Sequence, residues 1–170
     1  NEMRQKLTQA ELDLVISNHC KWIQGNPEGI RADLSNKDLS GLSLYNAYLY
    51  KANLYNANLY KAKLSKANLS DAYLSYANLS NANLSNANLS NASLYNANLY
   101  KAYLSNVNLS YAILSNANLP EINQDFQLPQ NEDLIVFKKV VNFNGMGRSI
   151  LKLLIPAAAK RTASLAGNKC

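Results

Sequence analysis

The sequence predicts an all-β solenoid, a chain wound into stacked coils. Three observations predict it. Leu returns at every fifth position from Leu34 to Leu119, eighteen times without a miss. Ala stands two residues before each Leu, except where Lys37, Leu42 and Val107 replace it. The residue before Leu is usually Asn or Asp, and a Ser or Tyr and then commonly an Asn or Lys follow it. Self-similarity at a fixed short period outranks local propensity as a guide to fold.

A period of five excludes the ordinary elements. On an α-helix, five residues leave successive leucines about 140° apart, so no face is buried. On a flat strand an odd spacing sends them to opposite faces. A heptad seam needs a different period. What remains is a short extended piece and one corner per pentapeptide, the corner resetting the alternation. Ala and Leu then point inward, the intervening Asn outward, and the Ser/Tyr–Asn/Lys pair turns the chain. Asn, Asp and Ser suit such corners because their side chains bond to nearby backbone. The core runs through Leu54, Leu59, Leu79, Leu84 and Leu99, among others. Burying each Leu contributes roughly 1.5–3 kcal/mol. Ala fills the space beside them, so Lys37 and Leu42 predict an irregular first coil.

The stretch KANLYNANLYKAKLSKANLSDAYL at 51–74 resembles the pentapeptide repeat family, written A(D/N)LXX. The resemblance covers about 90 of the 170 residues. It implies a right-handed quadrilateral β-helix with 20 residues per coil, hence about 4.5 coils here. At about 4.8 Å between stacked strands such a rod is roughly 22 Å tall. Residues twenty apart then share a column. Asp38, Asn58, Asn78, Asn98 and Asn118 form one, suited to a hydrogen-bonded amide ladder.

The ends need covering, since terminal coils expose apolar faces and unpaired strand edges. Residues 1–31 read as a helical cap. Thr8-Gln9-Ala10-Glu11 is a capping box opening a helix over 8–24. Leu12, Val15, Ile16, His19, Cys20 and Ile23 make its apolar stripe. Gly25 stops it and Asn26-Pro27-Glu28-Gly29 turns the chain. The helix is expected over the first coil, with Trp22 at the contact. The repeat occupies 32–121 and a polar linker 122–133. Residues 134–170 form a small β-rich module, in which DLIVFKKVVNF and SILKLLIP flank Asn144-Gly145-Met146-Gly147 as a hairpin. This tail resembles a small β module behind pentapeptide repeats in bacterial and phage-borne proteins. The ending LAGNKC reads as the cut or frayed end of something longer.

The formal net charge is +6. Residues 1–31 carry four basic and four acidic side chains, 32–121 six and four, and 122–170 seven and three. The excess therefore sits mostly behind the repeat. Cys20 and Cys170 make neither a disulfide framework nor a zinc signature. No signal peptide or membrane-length apolar run is seen, and the cytoplasm is the expected compartment.

No catalytic constellation is present. His19 is the only His, on the apolar side of the capping helix, and reads as a packed residue. NGMGRS at 144–149 lacks the strand–GxxxxGK–helix context of a phosphate loop. Paired carboxylates, metal-ligand spacing and a nucleophile elbow are all missing. The expectation is no enzyme, no cofactor, no metal and no small-molecule substrate.

Binding is the remaining class. The candidate interaction surface combines Tyr60, Lys61, Tyr100 and Lys101 on one side of the rod with Lys138, Lys139, Arg148, Lys160 and Arg161 of the tail. Tyr and Lys together suit an anionic partner. The leading expectation is a non-enzymatic protein-interaction scaffold with a protein partner; nucleic acid is the alternative for the basic tail. The resemblance also implies a DNA-mimic reading, in which acidic rods bind DNA gyrase. The positive repeat, free of inserted loops, disfavours it. The third reading is a structural spacer in a longer, phage-borne protein.

Overall fold

The computed structural model describes residues 4–120, 134–141 and 148–155. The chain divides into two compact units, residues 1–121 and 122–170.

In the first unit, parallel bridges join residues twenty apart in columns headed by Asp33, Asp38, Ser43 and Tyr48. The coil therefore has four sides. Each corner is a turn in which the Ala N–H returns to the preceding Leu carbonyl, as from Ala57 to Leu54 at 3.1 Å. The third residue of each such turn has positive φ, from Asn36 to Asn116, with 53–62° at the non-glycine positions and 73° at Gly41. That is the signature of a type II turn. Asn fills most of these corners because it tolerates the left-handed region better than most residues.

Where Asn precedes Leu in the middle of the repeat, no backbone donor is left unpaired. In the pentapeptide Ala52-Asn53-Leu54-Tyr55-Asn56, three N–H groups reach neighbouring coils: Asn53 to Ala32, Leu54 to Tyr73, Asn56 to Ser75. Ala52 closes the turn onto Leu49. The fifth, Tyr55 N–H, goes to the Asn53 side chain at 3.1 Å. This explains the Asn before Leu: its Oδ1 takes the one donor that stacking cannot satisfy.

Its Nδ2 has a second task. Along the expected column, Asn58 donates to Asp38 (2.9 Å), Asn78 to Asn58 (3.1 Å), Asn98 to Asn78 (3.5 Å) and Asn118 to Asn98 (3.1 Å). Asn53 likewise donates to Asp33 at 3.0 Å. Both ladders begin with Asp. The first rung has no rung above it to receive a donor, so an acceptor-only carboxylate fits there. Hydrogen bonds from Ser35 hold the Asp33 carboxyl below its usual range.

Leu54, Leu59, Leu79, Leu84 and Leu99 are fully buried, with alanines such as Ala57 and Ala82 sealed beside them. The first coil is regular, contrary to the expectation from Lys37 and Leu42: bridges run unbroken from Asp33, Asp38 and Ser43, and the corner at Gly41 turns like the others. Both residues are only half-buried, on the terminal coil where no further coil confines them. Lys37 extends upward, donating to Gln5 at 2.6 Å.

Helix α1 spans Gln9–Ile23, with Thr8 as N-cap and Gln24 as C-cap. The capping box forms: Glu11 N–H donates to Thr8 Oγ1, and Thr8 N–H to Glu11 Oε2. That bonding lowers the Glu11 pKa. Gly25 has φ 74°. Gly29 closes the following turn onto Asn26, and a Cβ there would lie 2.1 Å from the Trp22 nitrogen, so only glycine fits. Before α1, residues 5–7 add a strand that the sequence did not announce. Lys6 pairs with Asp38 in parallel, and Leu7 is buried.

The second unit contains an antiparallel hairpin of β1, Leu134–Val141, and β2, Arg148–Ile155, paired from Leu134↔Ile155 to Val141↔Arg148. The linker expected at 122–133 lies outside the described residues.

Candidate interaction surface

Tyr60 and Lys61 turn one corner of the rod, and Tyr100 and Lys101 turn the same corner two coils on, about 10 Å away at 4.8 Å per coil. In each pair the Lys Nζ sits 5.1 Å from its tyrosine ring. The rings are 37% and 44% exposed, while Ser80 between them is buried. The small serine leaves a notch between two aromatic–cation pairs. Each contact is worth roughly 0.5–1 kcal/mol at an exposed site, so these pairs order the lysines more than they stabilise the fold.

The adjoining side is headed by Ser43 and carries Lys63 and the exposed Tyr103. Its far corner holds Lys66, whose Nζ lies 5.9 Å from the Tyr45 ring. Lys61, Lys63, Lys66 and Lys101 thus gather on one side and its two corners, where the described residues of the repeat, 32–120, include no acid; the remaining acid of the repeat, Glu121, lies outside the described residues. The acids Asp33, Asp38 and Asp71 stand on other sides or corners.

A second aromatic feature was not legible column by column. Tyr55 and Tyr95 share a column with Ser75 between them. Tyr76, one residue later, fills the gap, edge-on to Tyr55 and to Tyr95 at 5.6 Å each. The signal was the one-residue offset of Tyr76, which a strict column reading discards.

Of the tail residues, Lys138, Lys139 and Arg148 lie in the hairpin, in register with Leu151, Ile150 and Val141. Lys160 and Arg161 lie outside the described residues. His19 is packed. It is fully buried, accepts the Ala32 N–H through Nδ1 at 3.0 Å and stacks on Trp22. Burial lowers its pKa, and Arg31 adds to the effect; the Tyr50 carbonyl works against both. Among the described residues no His/Cys/Asp/Glu group is arranged to hold a metal, and no helix is long and apolar enough to cross a membrane.

The pentapeptide-repeat family model matches residues 30–65, 67–106 and 87–123, in eight copies. The chain belongs to the pentapeptide repeat family. Proteins of this family form right-handed quadrilateral β-helices. Among solved pentapeptide repeat proteins, HetL of Nostoc sp. strain PCC 7120, involved in heterocyst differentiation regulation, is 40% identical, covering 54% of this chain and 42% of its own, with TM-score 0.52. Rfr23 of Cyanothece 51142 is 43% identical, covering 54% of this chain and 61% of its own, with TM-score 0.51. The alr5209 protein of Nostoc PCC 7120 is 27% identical, covering 72% and 92%, with TM-score 0.56. The chain spans less than two thirds of the length of HetL and Rfr23. No curated protein matches it.

Proposed function

We propose that this pentapeptide repeat chain is a non-enzymatic protein-interaction scaffold. A rigid rod of about 4.5 coils, twenty residues each, is capped at its start by α1 and presents the tyrosine–lysine side to an acidic segment of a partner protein. The carrying observation is the gathering of Lys61, Lys63, Lys66 and Lys101 on a side and corners where the described residues of the repeat, 32–120, include no acid. A flat side with fixed charges gains specificity and association rate from complementary charge. The basic tail, with Lys138, Lys139, Arg148, Lys160 and Arg161, extends the same preference. The positive side is the wrong sign for duplex-DNA mimicry.

The test is affinity capture from cells of the source, comparing the native chain with Lys61→Glu/Lys101→Glu. An acidic protein retained by the native chain, released by salt and lost from the variant, supports the reading. An unchanged set of retained proteins would sink it. A DNA and RNA gel shift with the full chain at physiological salt separates a nucleic-acid partner from a protein one.

A further inference from the structure

The N-terminal end of the rod is closed unevenly. At Asp38 the strand of residues 5–7 takes both backbone groups: Leu7 N–H donates to the Asp38 carbonyl (3.1 Å) and Asp38 N–H to that of Gln5 (2.8 Å). At Ser43 a side chain substitutes for a strand. The Gln9 amide accepts from Ser43 N–H at 2.9 Å and donates to its carbonyl at 2.8 Å. Asp33 and Tyr48, which head the other two sides, are bridged only onward into the next coil, Asp33 to Asn53 through Ala32 C=O and Leu34 N–H, Tyr48 to Asn68 through Ala47 C=O and Leu49 N–H. Neither their N–H nor their C=O groups have a partner among the described residues.

Tyr48 differs from Asp33 in what lies beside it. A cavity of about 520 Å³ opens between residues 43–48 and one stripe of α1 formed by Gln9, Asp13, Ile16 and Cys20. Those four recur at helical spacing, so they make a continuous wall. Ile16 with Leu44 and Ala47 gives the groove an apolar lining, and the exposed Asp13 carboxylate stands on the same wall. An unpaired strand edge recognises another strand through the backbone, while neighbouring pockets read alternate side chains.

We propose that the Tyr48 edge and its groove dock an extended peptide of a partner protein, added as one further strand with a basic residue beside a leucine. The Asp38 edge supplies the precedent, for it already accepts Gln5-Lys6-Leu7 in this way, with Leu7 buried and Lys6 exposed. At Tyr48 the leucine enters the lining of Ile16, Leu44 and Ala47. Asp13 is the one carboxylate of the groove and complements the adjacent cation.

The test uses the full chain, nitrogen-15 labelled, and a capped peptide Arg-Gln-Lys-Leu-Thr copied from residues 4–8. Saturable amide shifts at Asn46, Ala47, Tyr48 and Cys20 are expected. N-methylation of the peptide at its leucine should weaken binding roughly tenfold, the effect of about one backbone hydrogen bond. Ile16→Glu should weaken it at least as much. The methylated peptide leaves the protein unaltered, so the comparison stands even if that variant misfolds. Equal binding of the two peptides, or no shift at millimolar peptide, overturns the proposal. So do shifts centred on Asp38 and Leu7, which mean displacement of the chain's own strand. Tyr48 shifts that follow protein concentration without peptide overturn it in favour of a second copy of this chain.

Discussion

Between Leu54 and Leu99 the rod meets each backbone requirement largely by repetition, whereas its N-terminal end meets the same requirements with unlike devices. Inside, a donor such as Leu59 N–H finds the next coil's carbonyl at 2.7 Å, and Leu69 and Leu79 do the same. At the end, equivalent groups are taken by a three-residue strand, by the Gln9 amide and by the His19 ring. Repetition gives strength to the middle because every coil supports two neighbours. The end has support on one side only, so single residues there carry contacts that nothing duplicates. In a solenoid, stability is close to a sum of repeat and interface terms, and the two regions should respond differently to equal insults.

The largest effect is expected for Leu79→Ala. Leu79 is fully buried mid-rod, and the deletion should cost about 3–5 kcal/mol. Leu7→Ala removes the same atoms from the end and should cost about 2 kcal/mol or less, because an edge site collapses more readily. Hydrogen exchange distinguishes them: Leu79→Ala should lower protection through the central coils, Leu7→Ala only around residues 5–7 and Asp38. Equal, global losses from both would break the contrast.

Gly29→Ala comes next. Its Cβ would sit 2.1 Å from the Trp22 nitrogen and 2.4 Å from the Trp22 Cα, both backbone atoms. A cost of roughly 1–3 kcal/mol is expected, confined to α1 and its turn. Trp22 is the only tryptophan, so its fluorescence should shift to the red while the β signal of the rod persists. An unshifted emission would mean that α1 accommodates the methyl group.

His19 adds a pH dependence that the middle of the rod lacks. Its pKa in the folded chain lies below the usual 6.5, chiefly through burial. The unfolded chain therefore binds the proton more readily. Stability contributed by neutral His19 is complete above pH 6.5 and declines as pH falls below it. Melting followed by Trp22 fluorescence should drop on acidification, and His19→Phe should flatten that drop at the expense of the bond from Ala32. A melt that rises on acidification would contradict the sign.

The same contrast decides what the sequence disclosed. The five-residue period, the inward Leu and Ala, the corner pairs and the Asn58–Asn118 ladder were legible because each is repeated, and repetition is visible in one chain. The capping box at Thr8 was legible because both partners lie within one turn. The strand at residues 5–7 was not, since three residues carry no period and their partner Asp38 is over thirty positions away. Nor was the Gln9 amide on Ser43, a contact between residues with no shared pattern. Lys37 and Leu42 misled because the Ala rule belongs to enclosed coils, and the first coil has an open side. For the interaction surface, the column rule brought Tyr60, Lys61, Tyr100 and Lys101 together. Lys63 and Lys66 joined them only once the sides were known, because charge segregation around a rod appears only when the corners are fixed.

The smallest predicted effect asks whether the middle is as optimised as it is regular. Lys66 turns a corner with φ 60°, in a column otherwise held by Asn46, Asn86 and Asn106. Lysine lacks the short amide that makes the left-handed region tolerable, a difference of some tenths of a kcal/mol. In the same column Asn106 donates to Asn86 at 3.4 Å, and Lys66, next in the column, continues no such rung. Lys66→Asn should relieve the corner and extend the ladder toward Asn46, against the loss of an exposed cation–π contact with Tyr45 worth roughly 0.5 kcal/mol. A net gain of about 0.5 kcal/mol in denaturant unfolding is expected. If the fold alone selected this residue, Asn would be the better choice. A stabilised variant with weakened capture of the acidic partner would mean that Lys66 is kept for the surface at the expense of the corner, and a destabilised one would mean that the corner itself favours lysine.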